Sequence, residues 1–149
     1  MATQKLIEYV TVRIGGQGFG VAVSEIREVF SPQAITPVPR APDGVAGLLN
    51  LRGRIVTMID ARTRLGLAAR RADEPAMALG LDEGADLYGV LVDAVGEVLR
   101  LDPAAADAAP GHLDPQWRTL IGGVHRLEDQ LLPILDVRAL IGRRGALAA

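Results

Sequence analysis

Cysteine is absent from this 149-residue chain. That excludes disulfides, thiolate nucleophiles and thiolate metal ligands, and it agrees with a reducing compartment. Histidine is scarce: His112 and His125 are the only two, in no metal-ligand spacing such as His-x-x-x-His. His125 falls in an expected strand and is read as structural. Ser24 and Ser31 are the only serines, and neither lies in a Gly-x-Ser-x-Gly elbow. With one Trp, two Tyr and two Phe, there is little for nucleic-acid bases to stack on. No apolar run reaches the roughly 18 residues needed to cross a bilayer, which predicts no direct membrane insertion. The first residues, Met-Ala-Thr-Gln-Lys-Leu-Ile-Glu, lack a basic region followed by an apolar one and a cleavage site, so a cytoplasmic location is expected. A net charge of −2 speaks against a general affinity for nucleic acid and leaves a local basic patch open.

What is present organises around residues 44–66. Two apolar runs, 45–51 and 55–59, flank Arg52-Gly53-Arg54. They read as antiparallel strands joined by a tight glycine turn that carries cations. Asp60 stands where an N-cap belongs, residues 61–65 can form a short helix, and Gly66 suits the position just past its end. A weaker copy lies near the C-terminus. Placing Gly53 over Asp129 sets Ile55, Val56, Met58, Ile59, Asp60 and Arg62 over Leu131, Leu132, Ile134, Leu135, Asp136 and Arg138. Gly47 then falls on Gly123, and residues 19–29 match 88–98 in the same order along each half. The chain therefore reads as two related β units in tandem. Arg52-Gly53 becomes Glu128-Asp129 in the second unit, a reversal of charge at the turn.

A composition of 49% hydrophobic and 23% charged residues is that of a globular protein, long enough for one domain or two small interlocked ones. Residues 6–14 alternate, with Val10, Val12 and Ile14 on one face, as a half-buried strand does. Gly15-Gly16-Gln17-Gly18 is a hairpin turn rather than a phosphate loop, because strand, not helix, follows it. Residues 25–30 alternate charged and apolar side chains and are expected to be a strand with one face in water. The segment 31–42 holds Pro32, Pro37, Pro39 and Pro42, so it is a shaped surface connection. Residues 70–75 read as an exposed linker. Beyond it come a hairpin around 82–86, a strand at 95–101, an alanine-rich loop or short helix at 102–110, a last hairpin, and a helix capped by Asp136 through Ile141, with residues 143–149 fraying. Short strands at this spacing predict β-barrels rather than βαβ units. The expected bounds are sub-barrels at about 15–68 and 76–142 within one domain, 6–142, with strand 6–14 free to pair with either.

No active site assembles from these residues. Glu25 and Glu28 have no His, Cys or Lys near them in sequence to complete an acid–base pair. Asp60 and Asp136 are explained by capping, and no cofactor or metal is expected. The cluster Arg52, Arg54, Arg62, Arg64, Arg70 and Arg71 suits protein contact, since guanidinium is favoured at interface hot spots. The alternative is a small-barrel nucleic-acid binder using that cluster.

With the repeat and the proline loop in view, the chain resembles the bacterial chemotaxis coupling protein family, CheW, over about 6–142. The motif that carries the resemblance is Pro37-x-Pro39-x-x-Pro42-x-x-Val45-x-Gly47-x-x-Asn50-Leu51-Arg52-Gly53-x-Ile55-Val56, followed by Ile59-Asp60 and Leu65-Gly66. Thr57 stands where relatives usually carry proline. The resemblance implies an all-β fold with short helices, two intertwined five-stranded SH3-like barrels, and no catalytic activity. It also implies an adaptor that bridges the cytoplasmic tip of methyl-accepting chemotaxis receptors to the regulatory domain of the histidine kinase CheA, at receptor arrays. Carried over by motif, Asn50, Leu51, Arg52, Gly53 and Arg54 form the receptor-facing turn, and Ile26, Glu28 and Val29 a kinase-binding strand. Arg52 is expected to be a lone positive knob, and charge reversal at Glu28 to weaken kinase binding selectively.

Overall fold

Period-two alternation makes most of this chain strand. The computed structural model describes residues 5–71, 73–108, 111 and 113–142. His112 and the expected frayed end at 143–149 lie outside the described residues. The elements run β1 (Ile7–Ile14), β2 (Gln17–Ala22), a 3-10 turn (Val23–Glu25), β3 (Glu28–Phe30), β4 (Val45–Leu51), β5 (Arg54–Asp60) and α1 (Ala61–Arg64). After the linker come β6 (Met77–Glu83), β7 (Asp86–Val92), β8 (Ala94–Leu101), a 3-10 turn (Pro103–Ala105), α2 (Pro115–Arg118), β9 (Ile121–Leu127), β10 (Gln130–Leu135) and α3 (Val137–Ile141). Asp60 accepts the Arg62 amide at the start of α1, and Asp136 accepts the Ala139 amide at the start of α3, so both repeated aspartates are caps.

The strands form two five-stranded sheets, ordered β8-β1-β2-β10-β9 and β3-β6-β7-β5-β4. The fold is thus all-β with short helices, as the sequence implied. Exchanging each strand for its repeat equivalent, β1 with β6 through β5 with β10, converts one order into the other. The halves are therefore related by a two-fold arrangement in which strands are traded. β5 lies parallel to β7, with Val56 opposite Leu87 and Asp60 opposite Leu91, and β10 lies parallel to β2. Each sheet takes the last hairpin and the edge strand of one half and the opening hairpin of the other. The contiguous sub-barrels expected at 15–68 and 76–142 do not correspond to the sheets, and β1 pairs with β2 of its own half and with β8 of the other. The reason is burial. Phe19, Ile59, Leu79, Val90, Leu135 and Leu140 pack in one cluster that draws on both sheets and both halves. A unit of about 60 residues is marginal alone, and sharing a core buries more apolar surface for both.

Two local differences bear on the site. Of the expected strand 25–30 only residues 28–30 form β3, Glu28 opposite Gly80 and Phe30 opposite Ala78, with the Arg27 amide donating to the Gly80 carbonyl at 2.7 Å, because residues 23–25 coil into a 3-10 turn first. The proline segment 31–42 is pinned where Thr36 exchanges two backbone hydrogen bonds of 2.8 Å with Leu48 of β4. Gly47 permits that approach. Its φ is +148°, and a Cβ there would stand 2.3 Å from the Thr36 carbonyl oxygen.

Candidate protein-docking surface

The β4–β5 hairpin ends in a two-residue loop, Arg52-Gly53, between the paired residues Leu51 and Arg54. Both loop residues have positive φ, 51° and 88°, the pattern of a type I′ turn. Asn50 Oδ1 accepts the Gly53 amide at 2.9 Å and fixes the loop. Asparagine or glycine is the usual first residue of such a turn, and a left-handed arginine costs about 1 kcal/mol. Strain held at an exposed tip points to a use for that side chain.

The Arg52 guanidinium is not a lone knob. Its Nη2 donates to Glu28 Oε1 at 2.5 Å and Oε2 at 2.7 Å. β3 and β4 are the two edges of one sheet, and the sheet curls until the tip beyond β4 meets β3. Arg52 stays 68% exposed, whereas Glu28 is reduced to 28%. Further charges continue the line. Arg27 pairs with Asp82 at 2.7 Å, and Arg54 approaches the same carboxylate at 3.8 Å. Arg138 of α3 donates to Glu25 at 2.9 Å, to the Asp82 carbonyl at 2.9 Å and to the Glu83 carboxylate. Beside these ions two apolar side chains stand in solvent, Val29 at 41% and Ile55 at 58%. Exposed aliphatics among fixed charges make this surface a candidate for protein contact.

The structure places Asn50, Gly53 and Arg54 in solvent, while Leu51 is half-buried and packs on a smaller core with Phe30 and Met58. Ile26 is half-buried against the shared core, so of the three strand residues only Val29 and part of Glu28 are offered outward. Sequence treated the turn and the strand as separate surfaces; here they touch. It also missed Ile55, exposed opposite Asn50 in the hairpin, and the pairing of Asp82 with Arg27 and Arg54. The acidic run at 82–86 was the available signal, and it reads locally only as a turn.

The wider arginine cluster is largely engaged by neighbouring groups of the same chain. Arg62 forks onto Asp93, with both N–O distances 2.9 Å, and reaches Glu74 at 3.1 Å. These carboxylates raise its pKa, and the Glu74 carboxyl is held below its ordinary value, first by the Arg71 amide and then by Arg62. Arg71 lies near Asp73 and Glu74. Arg64 is turned inward, where desolvation lowers its pKa. Arg62 and Arg138 are repeat equivalents, and each clasps an acidic residue of the opposite half, Asp93 and Glu25. Phe19 and Tyr88 are buried, and Trp117 tilts against Phe19 while its indole N–H donates to the Leu65 carbonyl. Among the described residues Arg52, Arg54, Arg62 and Arg71 face carboxylates and these aromatics pack in the core, and no observation favours the nucleic-acid alternative.

Nor do the acids form a reacting pair, since Glu25 and Glu28 are each committed to a guanidinium. His125 is buried and tilted against Tyr9, with ring centroids 5.5 Å apart. Among the described residues no group of three or more His, Asp or Glu side chains is placed to hold a metal, and no helix is long and apolar enough to cross a membrane.

Known proteins resemble this chain in sequence and in fold. "Chemotaxis protein CheW" of Helicobacter pylori is 25% identical, over 93% of this chain and 83% of that protein. "Chemotaxis protein CheW" of Rhizobium meliloti is 28% identical, over 87% of this chain and 84% of that one. The crystal structure of the scaffolding protein TtCheW from Thermoanaerobacter tengcongensis superimposes with a TM-score of 0.81 at 23% identity, covering 96% of this chain and 92% of that one. The CheW-like domain model matches residues 8–145. By that match and by its two interlocked sheets, the chain belongs to the CheW-like domain family.

Proposed function

We propose that this protein is a non-catalytic adaptor of chemotaxis-type signal transduction, coupling a chemoreceptor's cytoplasmic tip to the regulatory domain of a CheA-type histidine kinase. Family membership supports the coupling role, and the observation that carries the mechanism is the Arg52–Glu28 ion pair. The turn, with Asn50, Arg52, Gly53 and Arg54 outermost, is the receptor-facing surface. β3, with Val29 and Glu28, is the kinase-facing one. The protein works in the cytoplasm, at receptor arrays, held there by its partners.

Because the two surfaces share an ion pair, a receptor carboxylate that engages Arg52 leaves Glu28 free to turn toward the kinase. Occupancy of one site then alters affinity at the other. Signal coupling of this kind needs a free-energy difference of only about 1–3 kcal/mol between states. Charge reversal at Glu28 is accordingly expected to disturb both partners, since it also repositions Arg52; Val29→Asp is the selective test of the kinase surface. In titration calorimetry with a receptor cytoplasmic fragment and with a kinase regulatory domain, Arg52→Asn weakens the first and Val29→Asp the second. Unchanged affinity for both partners in both variants rejects the assignment.

A further inference from the structure

The repeat places Glu97 of β8 where Glu28 stands in β3, and Glu128 where Arg52 stands. In one sheet the edge strand and the hairpin tip carry opposite charges and the seam between them is closed by an ion pair. In the other sheet both positions are acidic, with Asp129 next to them. Among the described residues, Glu97, Glu128 and Asp129 pair with no cation. That seam is open. A groove of about 690 Å³ runs between β8 and the β9–β10 tip, with the three carboxylates on its lining and Leu99, Leu127 and Leu132 among its apolar residues. Two arginines also line it. Arg13 is bonded to the Gly16 carbonyl at 2.7 Å, and Arg100 stands opposite Glu8 in the β1–β8 register.

We infer that this groove is a second docking site, and that its occupant is an extended, basic segment of another protein laid along the free edge of β8. β8 ends its sheet, so among the described residues the outer side of its backbone has no strand partner. An unpaired edge is a template for an added strand, whose main chain supplies affinity while alternate side chains reach pockets. The three carboxylates have no ion-pair partner and outnumber the two lining arginines, so they call for lysine or arginine in the segment, and the leucines call for aliphatics beside them. Glu28 and Arg52 saturate each other in the first sheet, so charge complementarity selects the second.

The probe is a synthetic seven-residue peptide alternating lysine and valine, titrated into the full chain and followed by amide chemical shifts and calorimetry. Binding shifts the amides of 95–101 and 127–130, weakens as salt rises, and falls at least tenfold in Glu97→Gln/Glu128→Gln/Asp129→Asn. Asp73→Asn, a remote carboxylate, leaves it unchanged, and the glutamate–valine counterpart peptide does not bind. Shifts scattered over the surface or centred on 26–30 overturn the proposal, as does undiminished affinity in the triple variant. Failure here leaves the adaptor reading intact, because the Arg52→Asn and Val29→Asp titrations test a different sheet.

Discussion

Arg52→Asn separates what the tip does for the fold from what it does for binding. Asparagine tolerates the left-handed region, so the substitution relieves about 1 kcal/mol of backbone strain at φ 51°. It also removes the Arg52–Glu28 pair. Coulomb's law gives about 1.5 kcal/mol for unit charges near 2.7 Å apart in water, before screening and side-chain entropy are deducted. With Arg52 68% exposed, the net worth of the pair is at most about 1 kcal/mol. Relief and loss nearly cancel, so the unfolding free energy changes by no more than about 0.5 kcal/mol. A desolvated interface arginine is instead worth about 2 kcal/mol or more, a loss of roughly thirtyfold in affinity. Urea denaturation followed by circular dichroism measures the first quantity, and calorimetry with the receptor fragment the second. A stability loss above about 2 kcal/mol refutes the reasoning, for it makes Arg52 a structural residue and the strain argument void.

The remaining predictions concern the frame that holds the tip. Gly47→Ala puts a methyl against the Thr36 carbonyl oxygen and costs about 2 kcal/mol or more, read from the urea midpoint; a neutral result shows that segment 31–42 is free to retreat. Arg62→Met leaves Asp93 without its cation at a site where the guanidinium is only 15% exposed, and costs about 2–3 kcal/mol; Arg138→Met, at a wetter site, costs about 1. The Glu74 carboxyl is depressed in the folded state, so its contribution is present above the ordinary carboxylate pKa of about 4.3 and is lost as pH falls through the lower, folded value. Glu74→Gln should flatten that acid limb in a stability–pH series, and an unaltered limb removes Glu74 from it.

The parts of this protein that depend on neighbours in sequence are readable from it. Alternation at 7–14, the glycine at 53, and aspartates at 60 and 136 ahead of helical residues each specify a local conformation, and the structure has each of them. The internal repeat is likewise a property of the string. So is the Asn50-Leu51-Arg52-Gly53 motif, since a two-residue hairpin loop sets its own geometry. Pairings between distant strands are another matter. Which half's hairpin lies beside β2 or β7 is decided by how both apolar faces can be buried at once, and the two halves present nearly the same pattern. The sequence by itself determined the strands, the caps, the duplication and an exposed cationic turn, because these follow from residues within a few positions of one another. Only the tertiary structure decided that the hairpins are traded and that Arg52 meets Glu28, because side chains 24 positions apart come together only once the sheet curls its edges toward each other.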